Sequence, residues 1–139
     1  MLGVPGAGAA GGLGAALLAL GAELRSGVET VLDLVGFDER VRDVDLVITG
    51  EGNMDEQSAA GKAPVGAARR AKRYGKPVVA VVGGRADSLD AVYGQGVDLV
   101  LPICRKPMDL ERALDPQEAA TNLICAGEAA ARSYDLARL

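Results

Sequence analysis

Beyond residue 44, three apolar runs share one form: DLVITGEG (45–52), PVVAVVGG (77–84) and DLVLPI (98–103). Each is continuous rather than alternating, and β-branched in large part. Strands buried on both faces of a parallel sheet look like this, since neither face meets water. The runs predict strands at about 45–49, 77–82 and 98–102. Between the first two, APVGAARRAKRYG (63–75) predicts a helix that begins at Pro64 and stops at Gly75. Between the second and third, SLDAVYGQG (88–96) predicts a shorter helix capped by Asp87 or Ser88. A last helix over about 116–134 would cover a sheet face. Right-handed crossovers then set the strands side by side in chain order. The fold class is α/β, three-layered around a short parallel sheet.

The chain before residue 45 reads differently. Helical patterns run over about 8–20 and 27–36, the charged run DERVRDV (38–44) follows, and no strand precedes Asp45. Three strands are few for this class, where five or six are usual. Something is missing from the pattern.

Composition narrows the function. The 139 residues suit one domain with a sizeable core, and only 3% are aromatic. Such a core depends on close backbone approach and small side chains. Net charge is −4, and basic residues are scattered apart from ARRAKRYGK (68–76). That balance gives no support to a nucleic-acid groove, and ARRAKR reads as a solvated helix face. With no His, a zinc site, a Ser-His-Asp triad and a Cys-His dyad are excluded, and Cys104 and Cys125 read as reduced core thiols of a cytoplasmic protein. The apolar stretch 13–24 is too short to span a membrane and carries no basic lead, so it reads as a buried helix.

Gly6, Gly8 and Gly11 spell G-x-G-x-x-G, the pattern that wraps a dinucleotide pyrophosphate. That fingerprint needs a strand immediately before it, and only Met1 to Pro5 precede Gly6. The pattern fails on context. Gly8, Gly11, Gly12 and Gly14 read instead as small positions that let a helix approach another element closely.

GEGNMDEQSAAGK (50–62) is richer in chemistry. It leaves the carboxyl end of a buried strand and enters the N-terminus of a helix, where ligands of open parallel sheets bind. Glu51, Asp55, Glu56, Gln57, Ser58 and Lys62 lie among Gly50, Gly52 and Gly61. Carboxylates can hold Mg²⁺ or take a hydroxyl proton, lysine neutralises phosphate, and glycines let backbone N–H groups reach phosphate oxygens. A Walker A loop would need Gly at position 56 and Ser or Thr at 63; Glu56 and Ala63 stand there. From the residues alone, a ligand site and an ordinary polar loop both stay open.

The run from Asp45 to Gly84 resembles the C-terminal part of the bacterial glycerate kinase family. The family's pattern is roughly D-L-V-I-T-G-E-G-R-x-D-x-Q-T-x-x-G-K-x-P-x-G-V-A, matched at Asp45 to Gly52, Asp55, Gln57, Gly61, Lys62, Pro64, Gly66 and Ala68. PGAGAAGGLGAALLAL (5–20) is similar to another family segment, and PICRKPMDLERAL (102–114) to the stretch before its final helix. Three places depart. Asn53 stands where the family usually has Arg, Ser58 replaces Thr, and GGRADS (83–88) differs from an A-G-S-rich turn. The family's D-S-F-K-G loop and G-G-S-A-T-N-D-G-G segment have no counterpart.

The resemblance implies half of a six-stranded, doubly wound Rossmann-like sheet. Residues 45–139 would be the C-terminal half of that domain, and residues 1–44 a helical segment of the second domain or cleft side. It implies an intact enzyme that phosphorylates D-glycerate from ATP with Mg²⁺, and an isolated chain that is inactive. Asp55 would be Mg²⁺ ligand or hydroxyl base, Glu51 its support and Lys62 the phosphate contact. Gln57 and Ser58 would position substrate or nucleotide, alongside Gly50, Gly52, Asn53 and Gly61. The alternative is a non-catalytic nucleotide-binding or assembly half-domain. The first strand's open edge and the apolar helix at 8–20 are further expected to favour a homo-oligomer.

Overall fold

The computed structural model describes residues 3–138; Met1 and Leu2, which open the run before Gly6, and Leu139 lie outside the described residues. Three helices come first: α1 (Ala9–Ala19), α2 (Gly27–Leu34) and α3 (Phe37–Arg42). Strand β1 (Val47–Met54), a 3-10 turn (Glu56–Ala60) and α4 (Ala63–Lys72) follow. The chain continues through β2 (Val78–Arg85), α5 (Asp90–Tyr93), β3 (Leu99–Pro102), α6 (Leu110–Ala113) and α7 (Pro116–Leu136). The strands form one parallel sheet in the order β1-β2-β3, as chain-order crossovers predict. Glu51 sits opposite Val82, and Val82 opposite Pro102, so these residues form one row across the sheet.

The sheet separates two apolar layers. Val78, Ala80 and Val82 of β2 cluster with Val65, Ala68 and Ala71 of α4, and Leu89, Val92 and Val97 join them. The alanines keep α4 close to the sheet while the valines fill the gap. Helix α7 packs against β2 and β3, burying Asn122, Ala126 and Ala130 at four-residue spacing on one helical face. Asp115 caps that helix by accepting from the N–H groups of Gln117 and Glu118 at 3.1 and 2.9 Å.

β1 is treated differently from β2. It pairs with β2 alone, and half-buried Val47, Thr49 and Glu51 alternate with exposed Ile48, Gly50 and Gly52. Ile48 is 55% exposed, so one face of β1 and its outer edge stand open among the described residues.

Several boundaries depart from the sequence pattern. β1 continues to Met54 and β2 to Arg85, through glycines that read as turns. Here glycine serves close strand approach: a Cβ at Gly83 would lie 2.5 Å from the Gly52 carbonyl, and one at Gly50 would collide with the Val81 carbonyl. The short helix α5 starts at Asp90 with Leu89 in the cap position, not Asp87 or Ser88. Leu89 is 1% exposed, so burial of that side chain decides where the turn begins. Helix α1 is kinked by left-handed residues at Ala10, Gly11 and Gly12. Only Gly14 of the opening glycines in α1 makes a close approach, to the carbonyls of Gly6 and Ala7 within its own segment.

The basic run also departs. Arg69, Lys72 and Arg73 are exposed, but Arg70 is 7% exposed. Its Nε and Nη2 donate to both oxygens of Asp38 at 2.7 and 2.9 Å, and Nη1 donates to Glu29 at 3.3 Å. Asp33 pairs with Nη2 as well. Glu29 and Asp33 lie on α2 and Asp38 on α3, so Arg70 ties the N-terminal helices to α4. Gly66 permits the approach, since a Cβ there would lie 2.5 Å from Val28 Cγ2.

Candidate active site

The carboxyl end of β1 turns at Asp55 into the 3-10 turn, and a reciprocal cap holds the corner. The Asp55 carboxylate accepts from the Ser58 N–H at 3.1 Å, while the Ser58 hydroxyl accepts from the Asp55 N–H at 3.2 Å. Two helix-end donors are thereby satisfied at once. Ser58 is fully buried, so its hydroxyl is committed to this corner and faces no open solvent. Gly61 closes the turn in the left-handed region at φ 113°, and Lys62 follows as the N-cap position of α4.

Lys62 gathers the polar groups. Its Nζ donates to the Ser58 hydroxyl at 3.2 Å and to Asp55 Oδ1 at 3.4 Å, and lies 3.7 Å from Glu51 Oε2. Glu51 reaches it from the half-buried face of β1, and its side chain is 15% exposed. The other oxygen, Oε1, is buried without a hydrogen-bond partner among the described residues. A buried carboxylate oxygen with no donor is costly and asks for one.

Partial burial pushes the Asp55 carboxyl up, but the charge and hydrogen bond of Lys62 and the N–H groups of Ser58 and Gln57 outweigh it. The net effect holds Asp55 below the ordinary carboxylate value. Asp55 therefore carries a standing negative charge at neutral pH.

The structure thus brings Glu51, Asp55, Ser58 and Lys62 together. The other sequence-predicted residues surround this cluster without joining it. Gly50, Gly52 and Asn53 belong to β1, and the Asn53 side chain lies against Gly84 of β2. Gln57 is exposed and, with Asp55, Glu56, Ala86 and Ser88, lines a shallow cavity of about 340 Å³. Ala86 and Ser88 come from the loop after β2, which sequence reasoning did not place at the site. The signal for them was the parallel order itself, which brings successive strand ends to one edge.

A second feature was also missed. A largely apolar cleft of about 600 Å³ runs between α2 and the β1–α4 corner, lined by Val28, Leu32, Thr49, Gly50, Gly61 and Pro64 among others. Its volume lies in the range of small-molecule sites. Nothing in the periodicity of α2 pointed to it, because the cleft exists only once α2 leans on α4.

Two carboxylates beside one lysine suit a hydrated Mg²⁺, which takes one or two carboxylates plus phosphate oxygens. Among the described residues no three His, Cys, Asp or Glu side chains converge on a metal position. A site for a cation shared with a phosphorylated ligand fits the donors; a closed protein cage does not. Among the described residues, no helix is long and apolar enough to cross a membrane.

The family model described as "Glycerate kinase family" matches residues 1–135. A glycerate kinase of Bacillus cereus is 51% identical over 111 residues, covering 79% of this chain and 29% of that protein. The glycerate 2-kinase of Escherichia coli is 49% identical over 111 residues, with the same coverage. The crystal structure of a Salmonella typhimurium protein assigned as glycerate kinase 2 superposes with a TM-score of 0.66 at 40% identity, covering 96% of this chain and 34% of that one. The chain thus spans about a third of the length of the proteins it matches. On the family match and these identities, the chain belongs to the glycerate kinase family.

Proposed function

We propose that this segment carries the metal and phosphate groups of an enzyme that moves the γ-phosphoryl of ATP to a hydroxyl of D-glycerate. The observation that carries the reading is the Lys62 cluster: one ammonium within 3.7 Å of Glu51, Asp55 and Ser58, with Glu51 Oε1 left unpaired. Phosphoryl transfer needs little covalent help from protein; it needs positioning and charge neutralisation. Asp55 and Glu51 would hold Mg²⁺, and Lys62 would swing from the carboxylates to a phosphate oxygen. Mg²⁺ would supply neutralisation of the charge on the transferring phosphoryl group. A general base works best with a pKa near the working pH. Asp55 is held the other way, which favours the metal-ligand role over the base.

The test measures ATP-dependent phosphorylation of D-glycerate by the 139-residue chain, alone and combined with the complementary two thirds of a family member. Turnover only in combination is expected, because groups from both sides of a cleft must be aligned. ATP binding without turnover in combination would favour a non-catalytic half-domain. The open edge of β1 suits pairing with another strand. By light scattering, the chain alone is therefore expected as a dimer, with amides 47–51 slow to exchange. A monomer with fast exchange there would count against that pairing.

A further inference from the structure

At the far end of the same sheet edge, β3 gives way to a loop that carries Arg105. The loop is tied to β2 at its start: the Ile103 N–H donates to the Val82 carbonyl at 2.8 Å, and Cys104 Sγ lies 3.8 Å from the Gly83 carbonyl. Glu51, Val82 and Pro102 share one row. At about 4.8 Å between strands, the loop therefore begins about 10 Å from Glu51. Arg105 follows the carboxyl end of β3, anchored to α7 and outside the cluster described above.

Its anchor is unusual. Arg105 Nε donates to Asn122 Oδ1 at 2.7 Å, and Asn122 is fully buried on the sheet-facing side of α7. A guanidinium only donates, so this bond fixes which end of the amide faces it. The Asn122 Nδ2 group is then buried with no partner among the described residues. Positions 126 and 130 on the same face are alanine, and an apolar residue at 122 would avoid the unpaired donor. The amide at 122 has one evident use, which is to hold Arg105.

The held guanidinium is open. Its side chain is 45% exposed, and among the described residues neither Nη nitrogen makes a hydrogen bond. Glu118 lies 3.7 Å from Nη2, but it also accepts from Arg112 at 3.3 and 3.4 Å. One carboxylate thus faces two guanidinium groups, and a positive charge is left over. Arg70, whose role is structural, is buried and saturated by carboxylates. Arg105 has the opposite character, a fork fixed at its base and only loosely paired at its tip.

We infer that Arg105 is an oxyanion-binding arm of the ligand edge, and that Asn122 is its positioning residue. The ligand is the phosphate or carboxylate of a small molecule bound across the carboxyl ends of β1 and β3. Planar forks pair with such oxyanions through two parallel hydrogen bonds. This rests on reading that edge as the ligand side, and not on the roles given to Asp55 and Lys62.

The test follows the Arg105 Nε–Hε resonance of the purified chain during titration with tripolyphosphate, ATP and D-glycerate in separate arms. A saturable shift with at least one probe is expected, and the arm that responds identifies phosphate or carboxylate as the source. Arg105→Gln should weaken that probe about tenfold, the scale of one charge-assisted pair, with Arg105→Lys in between. Asn122→Leu should weaken it while leaving the charge in place. Asn122→Asp keeps the acceptor, and so the fold, but should weaken anions by repulsion and steepen the pH dependence of binding. An unmoved resonance with all three probes, or equal affinity in Arg105→Gln, overturns the proposal. Lys62→Ala is run in parallel. Loss there with none in Arg105→Gln leaves the kinase reading standing and this one overturned, and the reverse pattern does the opposite.

Discussion

Two of the cations that α4 and its N-cap turn toward acidic groups of other elements have opposite fates. Arg70 sits in the body of α4, buried, gripping Asp38 with two bonds and reaching Glu29 and Asp33. Lys62 sits at its N-terminus, 41% exposed, with contacts of 3.2 to 3.7 Å. The Arg70 cluster is saturated, and its planar fork fits one arrangement. The Lys62 cluster is loose, leaves a Glu51 oxygen unpaired, and rests on an ammonium that exchanges partners readily. A saturated polar cluster holds elements together. An unsaturated one is available to a ligand.

The comparison breaks most visibly at Arg70. Arg70→Ala leaves Glu29, Asp33 and Asp38 facing one another, and should give the largest fall in melting temperature of any variant here, with Arg70→Lys recovering part. The Arg70 hydrogen bond, working against partial burial, holds the Asp38 carboxyl below its ordinary value of 3.8. That contribution is therefore present above about pH 4 and lost as pH falls through the lower folded value. Wild-type melting temperature should drop across that acid range, and the Arg70→Ala profile should be flatter. Equal melting temperatures at pH 7 would remove Arg70 from its structural role.

The loose cluster is tested in catalysis. With these residues grafted into a full-length glycerate kinase, Asp55→Asn should lower kcat by roughly a hundredfold or more, the scale of losing one charge-stabilising group. ATP binding should change far less if the carboxylate acts mainly as charge develops. Steady-state kinetics with unchanged kcat would take Asp55 out of the site.

Gly66→Ala sharpens the link between α2 and Arg70. The new methyl would press on Val28 at 2.5 Å, at a cost of about 1–3 kcal/mol by denaturant unfolding. If it acts by lifting α2 away from Arg70, combining it with Arg70→Ala should cost less than the two single changes together. Strict additivity would uncouple the two features.

The smallest effect on stability is expected at Lys62. Lys62→Ala should change unfolding free energy by about 1 kcal/mol, since its ammonium is 41% exposed and its contacts with Glu51 and Asp55 are long. The same change removes the charge that most lowers the Asp55 carboxyl, so Asp55 should titrate at higher pH by carbon NMR. In the grafted enzyme it should raise the nucleotide KM. A large loss of stability would make Lys62 a second Arg70.

Much of the site was legible because its chemistry is local. Asp55, Ser58 and Lys62 lie within one turn and a cap, and D-x-x-S is itself a capping pattern. Glu51 was legible as a carboxylate but not as an unpaired one, since its isolation depends on how β1 is covered. Asn122 gave no signal at all. It stands in a polar-looking helix, TNLICAGE, and only docking of α7 on the sheet made it a buried amide.

The chain by itself determined the parallel α/β order, because continuous apolar runs and intervening helices leave few other ways to exclude water. It also determined the corner at Asp55, where side chain and backbone are neighbours. Tertiary structure alone decided which glycines serve strand approach rather than turns, and which cation of ARRAKR is buried. It also decided that Arg105 is held from below. Those outcomes depend on what another element places within a few ångströms, and residues 32 and 17 positions apart, such as Asp38 and Arg70 or Arg105 and Asn122, meet only when the layers close.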